Sequence, residues 1–252
     1  MDTRIALVTG GNRGFGRSAA LALAGDGADV IITYRENVEE AHAVVKEIRA
    51  LGREAGALRV DLSQAERFTE FDWELGELLG DVWGRTTFDH LVNNAGHGIL
   101  TTLGTTALDD VQSLVDVHFT GVYFLTQQLA PRIADGGSIV NISSVLARSA
   151  GEGWSVYAAM KGAVEVLTRY HAQELGKRGI RVNVVAPGPA ATDFLDGTIR
   201  DDAAVREMLG AQAALGRVAE ADDIGPVIAA VLSDRFGWVT GQRIEASGGA
   251  AL

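Results

Sequence analysis

A chain of 252 residues is long enough for one large domain or two small ones, with a sizeable buried core either way. Its 22 Lys and Arg stand against 33 Asp and Glu, and the resulting net charge of −11 opposes general attraction to nucleic acid or an anionic membrane, so an anionic ligand must be held by local donors. The lack of cysteine excludes disulfides, thiolate zinc sites and a Cys nucleophile, and no stretch approaches the roughly 18 uninterrupted apolar residues of a membrane span.

The chain starts Met1-Asp2-Thr3-Arg4 and then has only a short apolar run, unlike a secretory leader, so a soluble cytoplasmic protein is expected. Strands are predicted at 5–8 and 30–33, before Asp61, and at 90–92, 138–142 and 180–185. These runs are continuously apolar rather than alternating, the mark of a parallel sheet buried on both faces. Helical spacing fills the intervals 15–24, 38–51, 65–79, 108–133, 155–177 and 222–232. Strand alternating with helix means α/β, and the expected architecture is a doubly wound, Rossmann-type parallel sheet flanked by helices. With only 4 Pro and no linker or repeat, residues 1–252 read as one domain, in which the polar, Gly- and Ala-rich stretch 193–216 is the expected substrate loop.

Three features carry chemistry. The first is Thr9-Gly10-Gly11-Asn12-Arg13-Gly14-Phe15-Gly16, placed between the first strand and first helix, where backbone amides and a helix N-terminus can face a pyrophosphate. The second is the end of the second strand, Tyr34-Arg35. An NAD site usually has an acid there, whereas Arg35 with Arg13 offers two guanidinium groups suited to the 2′-phosphate of NADP(H), against the countersignal of Glu36. The third is Tyr157 and Lys161, four apart on one helical face, with Ser144 ahead of them at the end of the fifth strand. Only 4 Tyr are present and Lys occurs only at 46, 161 and 177, so a chance Tyr-x-x-x-Lys is expected about 0.05 times. A cation about 4 Å from a phenol can lower its pKa by up to about three units at an effective dielectric near 20.

These residues resemble the classical short-chain dehydrogenase/reductase family, with motifs close to 3-oxoacyl-(acyl-carrier-protein) reductases. The resemblance rests on the glycine turn, Asp61-Leu62, Asn93-Asn94-Ala95-Gly96, Ser144, Tyr157 with Lys161, Pro187-Gly188 with Thr192, and the closing strand region Thr240-Gly241-Gln242 with Gly248-Gly249, in order along nearly the whole chain. It implies that Tyr157 is the general acid, that Ser144 hydrogen-bonds the substrate oxygen, and that Lys161 binds the nicotinamide ribose and lowers the phenol pKa. It further implies that Gly10, Asn12, Arg13, Gly14, Phe15, Gly16, Tyr34, Arg35, Asp61, Leu62, Asn94, Ala95, Gly96, Pro187, Gly188 and Thr192 contact NADP(H). The expected activity is reversible reduction of a small-molecule ketone, aldehyde or 3-oxoacyl group by a homotetramer, without metal, membrane or nucleic acid. An acyl carrier protein partner has thin support, since Arg132 is followed by Asp135 and Lys177-Arg178 is a short cluster. Apolar Leu146, Trp154, Phe194 and Leu195 suggest an apolar substrate arm.

Two positions depart from the family pattern. His118 stands where the family has an Asn that anchors a relay water, and either supports that water chain in another way or is a satisfied buried His. Ala246-Ser247 precedes the terminal Gly-Gly where an Asp is usual. The competing function is an NADP-binding regulatory or scaffold protein with little turnover.

Overall fold

The computed structural model describes residues 3–250 and 252. Seven strands form one wholly parallel sheet: β1 (Ile5–Val8), β2 (Asp29–Tyr34), β3 (Ala55–Arg59), β4 (Phe88–Asn93), β5 (Ile133–Ile142), β6 (Arg181–Pro187) and, last in the chain, β9 (Arg243–Ala246). Their order is β3-β2-β1-β4-β5-β6-β9, and a two-stranded ladder joins β7 (Ala190–Ala191) to β8 (Ala219–Glu220). The chain winds outward to β3, then returns across β1 to β4. This reversal leaves a crevice beyond the carboxyl ends of β1 and β4, where open α/β sheets bind ligands.

Two apolar layers explain why the strands are hydrophobic throughout. On one face Ala6, Val8, Val30 and Ile32 pack against α1 (Gly14–Gly25), α2 (Val38–Ala50) and α9 (Ala221–Leu232). On the other, Ile5, Leu7, Leu91 and Ile139 pack against α3 (Phe68–Trp83), α5 (Val122–Leu129) and the end of α6 (Ser155–Leu175). The helix expected at 108–133 is divided: α4 (Leu108–Val115) passes into a π turn at Asp116–Gly121, and β5 already begins at Ile133. The π turn lets Gly121 lie against the Leu62 carbonyl, where a Cβ would approach to 2.5 Å. Thr240-Gly241-Gln242 is the turn into β9 rather than part of the strand: Gly241 has φ +69° and donates to the Val182 carbonyl at 2.7 Å. The stretch 193–216 carries the short helices α7 (Thr198–Asp201) and α8 (Ala203–Gly210).

Buried amides tie the helices to the sheet. Asn93 Nδ2 donates to Asn141 Oδ1 at 2.8 Å and Thr126 Oγ1 at 3.0 Å, and Asn141 Nδ2 donates to Thr168 Oγ1 at 2.8 Å. This ladder runs from α5 through β4 and β5 to α6 and fixes the helix that carries Tyr157 and Lys161. Buried polar groups so paired specify one arrangement, because leaving any of them unpaired is costly.

Candidate active site

The crevice is held together by Thr9 and Asn94. Thr9 Oγ1 accepts from the Asn94 and Ala95 amides at 2.9 and 3.0 Å, and Asn94 Nδ2 donates to the Thr9 and Gly10 carbonyls at 2.9 and 3.2 Å. Gly10 turns at φ +62°, and a Cβ on Gly16 would sit 2.2 Å from the Gly10 carbonyl oxygen, so the helix can start this close to the strand only with glycine there. No side chain caps the N-terminus of α1 and no acid lies in its first turn. Its free amides and dipole therefore suit a pyrophosphate. Thr192 lies across from Gly14, with 3.8 Å between the Thr192 Cβ and the position of a Cβ at 14.

Where β2 ends beside the glycine turn, Arg13 and Arg35 are exposed, and Arg35 pairs with Glu36 at 3.0 Å. Asn12 donates to Glu40 at 2.7 Å, Asp61 Oδ1 is taken up by Ser63, and Leu62 is buried. Register adds a residue the motif reading missed. Arg59 pairs with Tyr34 across β3 and β2, and its Nε donates to the Arg35 carbonyl at 2.8 Å, which places a further guanidinium beside Arg35. Pro187 closes β6, and the Gly188 amide donates to the Ala246 carbonyl at 3.2 Å.

At the other end of the crevice Ser144, Tyr157 and Lys161 come together, all at most 8% exposed. Lys161 Nζ donates to the Ile142 carbonyl at 2.9 Å and lies 5.5 Å from the Tyr157 ring centre. Burial pushes the Tyr157 phenol well above its ordinary value, and a hydrogen bond with Ser144 works against that rise. Burial pulls Lys161 down to about 8. The expected lowering of the phenol by Lys161 does not appear: desolvation dominates, and Tyr157 holds its proton.

His118 lies under this group. Its Nε2 donates to the His97 carbonyl at 2.7 Å, its ring edge meets the Tyr157 ring at 5.3 Å, and its buried Nδ1 has no partner. Burial, reinforced by Lys161, holds it well below the ordinary His value, so it is neutral at pH 7. His97, expected to lie outside the site, touches His118 through its carbonyl and its ring, with centroids 5.5 Å apart, and its Nε2 lies 3.1 Å from Ser113 Oγ. Over the cleft, Phe194 stacks on Trp154 at 6.1 Å and meets the Tyr157 ring at 5.7 Å. Among the described residues no His, Asp and Glu cluster suits a metal, and no helix is long and apolar enough to cross a membrane.

The family described as enoyl-(acyl carrier protein) reductase matches residues 10–251. An uncharacterized oxidoreductase of Methylorubrum extorquens is 39% identical over 99% of this chain and 98% of its own length. A 3-oxoacyl-(acyl-carrier-protein) reductase of Staphylococcus aureus is 36% identical over 98% of each chain. Among solved structures, a promiscuous reductase that catalyses keto-reduction at C1 during lugdunomycin biosynthesis superposes with a TM-score of 0.94 at 35% identity, covering 99% of this chain and 98% of that one. A short-chain dehydrogenase of Burkholderia cenocepacia in complex with NADP gives 0.90 at 36% identity with the same coverage. With a crevice at the strand-order reversal, a glycine turn on an uncapped helix and Ser144, Tyr157 and Lys161 gathered at one end, the chain belongs to the short-chain dehydrogenase/reductase family of oxidoreductases.

Proposed function

We propose that the protein is an NADPH-dependent carbonyl reductase acting on a ketone or aldehyde with an apolar, ring-bearing substituent. The observation that carries this reading is the burial of the protonated Tyr157 phenol beside Ser144 beneath an aromatic wall. Tyr157 gives its proton to the carbonyl oxygen as negative charge develops there, and Ser144 donates a hydrogen bond to the same oxygen. Lys161, fixed on the Ile142 carbonyl, holds positive charge beside the phenol and binds the ribose. NADPH would supply the hydride, held by the glycine turn, Asn94 to Gly96 and the loop Pro187 to Thr192. Arg13, Arg35 and Arg59 support preference for the 2′-phosphate, and NADP in the Burkholderia relative is consistent with it.

Trp154 and Phe194 support the aromatic preference. Gly98 makes room for Phe194, whose Cζ would lie 2.6 Å from a Cβ at 98. The outer faces of α5 and α6 expose Tyr123, Phe124, Val166 and Tyr170, which supports assembly into a homo-oligomer.

Following NADPH consumption against a panel of aryl and alkyl ketones and aldehydes, alongside a binding titration, tests the reading. Turnover with aryl ketones favoured is expected. Tight NADPH binding with no turnover on any carbonyl would replace it with a regulatory or scaffold role.

A further inference from the structure

Beneath Ser144 lies a buried ion pair that the proposed chemistry does not use. Arg243, on β9, has a side chain only 6% exposed, and its Nε donates to Glu165 Oε1 at 2.6 Å, while Glu165 is itself 12% exposed. The guanidinium also pairs with Glu245, and its Nη2 donates to the backbone carbonyl of Ser144 at 3.1 Å. Glu165 Oε1 accepts in addition from the Ser143 hydroxyl at 2.7 Å. The Ser143 amide is bound to the Val185 carbonyl on β6 at 2.9 Å. Ser143 is therefore gripped through its amide from β6 and through its hydroxyl from α6, and Ser144 through its carbonyl from β9, while Ser144 Oγ accepts from the Leu146 amide at 3.2 Å and hydrogen-bonds Tyr157.

Burying such a pair is expensive, and well-packed apolar residues in its place are often neutral or stabilising. Its location suggests what offsets that cost. Glu165 lies two helical turns beyond Tyr157 and one beyond Lys161, on the same face of α6, so the pair joins the catalytic helix to the catalytic serine's backbone through one salt link. We propose that Glu165 and Arg243 are positioning residues that set the register of Ser144 against Tyr157. The inference rests on the carbonyl-reductase reading for its readout.

The test replaces both charges together, Glu165→Leu with Arg243→Met, so that no lone buried charge is left. The pair is placed in the parent and in the Ser144→Ala background. The expected result is a drop in kcat of about 10-fold or more in the parent, since misplacement by about 1 Å costs up to about 10²-fold. KM and the NADPH dissociation constant stay near parent values. In the Ser144→Ala background the same double substitution costs almost nothing further, because its effect passes through Ser144. Arg243→Lys, which keeps the charge but cannot reach Glu165 and the Ser144 carbonyl in the same fork geometry, falls between. A parent kcat within twofold after the double substitution, or an equal fold loss in both backgrounds, overturns the proposal. If Ser144→Ala and Tyr157→Phe alone leave turnover untouched while NADPH still binds, the reductase reading is what has failed.

Discussion

The floor of the cleft and its lid, the stretch 193–223 that carries Phe194, are built in opposite ways. In the floor, Asn93, Asn141, Ser143, Ser144 and Lys161 are buried, and each is paired to a neighbouring strand or to α6. In the lid, Arg200 pairs with Asp193 and Asp201, Arg206 with Glu220 and Arg217 with Asp223, all at the surface, where such pairs contribute little. Leu195 and Asp196 follow Phe194 in the left-handed region at φ +51° and +54°, a conformation that costs non-glycine residues about 1 kcal/mol or more each. The floor is thus held by buried side chains bonded to one another, although Asn93 Oδ1 is left without a partner. The lid is a strained, lightly pinned segment, to which the proposed function assigns substrate fit.

Substitutions in the floor should therefore damage rate, and substitutions in the lid should change choice of substrate. After the loss of the Tyr157 hydroxyl, the largest effect is expected from Ser144→Ala, which on the proposed reading removes the donor to the developing oxyanion and should lower kcat by about 10² to 10³-fold with little change in NADPH affinity. Steady-state kinetics with a saturating ketone checks it. At the end of β2, Arg35→Asp replaces the proposed charge-assisted partner of the 2′-phosphate with a repulsive one. The ratio of kcat/KM for NADPH over NADH should fall by about 10 to 100-fold, from hydrogen bonds of about 1.5 to 3 kcal/mol. Equal kcat/KM for the two cofactors in the parent would show that the guanidinium groups of Arg13, Arg35 and Arg59 do not select phosphate.

Phe194→Ala should act on selectivity instead. Loss of one ring contact, about 0.5 to 1.5 kcal/mol, lowers kcat/KM for aryl ketones about 2 to 10-fold relative to alkyl ketones of equal length, with Ser144 and Tyr157 chemistry intact. An equal loss on both classes would make the lid part of the catalytic floor. His118→Leu is expected to have the smallest effect. A water held at the unpartnered Nδ1 would make kcat fall several-fold and its pH profile shift, with NADPH binding unchanged. Lower thermal stability with normal kcat would instead mark His118 as a packing residue.

The same contrast explains what the sequence revealed. Gly10 to Gly16, Tyr157 with Lys161, and the apolar strands were legible because their chemistry depends on spacing within a single turn or helix face, and such spacing is visible in a linear chain. Arg59, Glu165 and Arg243 were not. Arg59 meets Arg35 only through strand register, and Arg243 meets Ser144 across 99 positions of sequence through the order of β5, β6 and β9. The division of 108–133 was hidden for a different reason. A π turn keeps the apolar spacing of a helix while adding one residue, so periodicity alone cannot separate it from α-helix. His97 and His118 are 21 positions apart, and nothing in the composition of either segment marks their contact.

The central claim is that the buried Tyr157 proton is delivered to a substrate carbonyl. Single-turnover consumption of NADPH with the best aryl ketone, comparing the parent with Tyr157→Phe, tests it most directly, because the substitution removes one oxygen and keeps the ring against Trp154 and Phe194. The account predicts a fall of at least about 10² to 10⁴-fold in the rate of the reductive step with NADPH affinity nearly unchanged. A folded Tyr157→Phe enzyme that binds NADPH and reduces the ketone within a few-fold of the parent rate would contradict it.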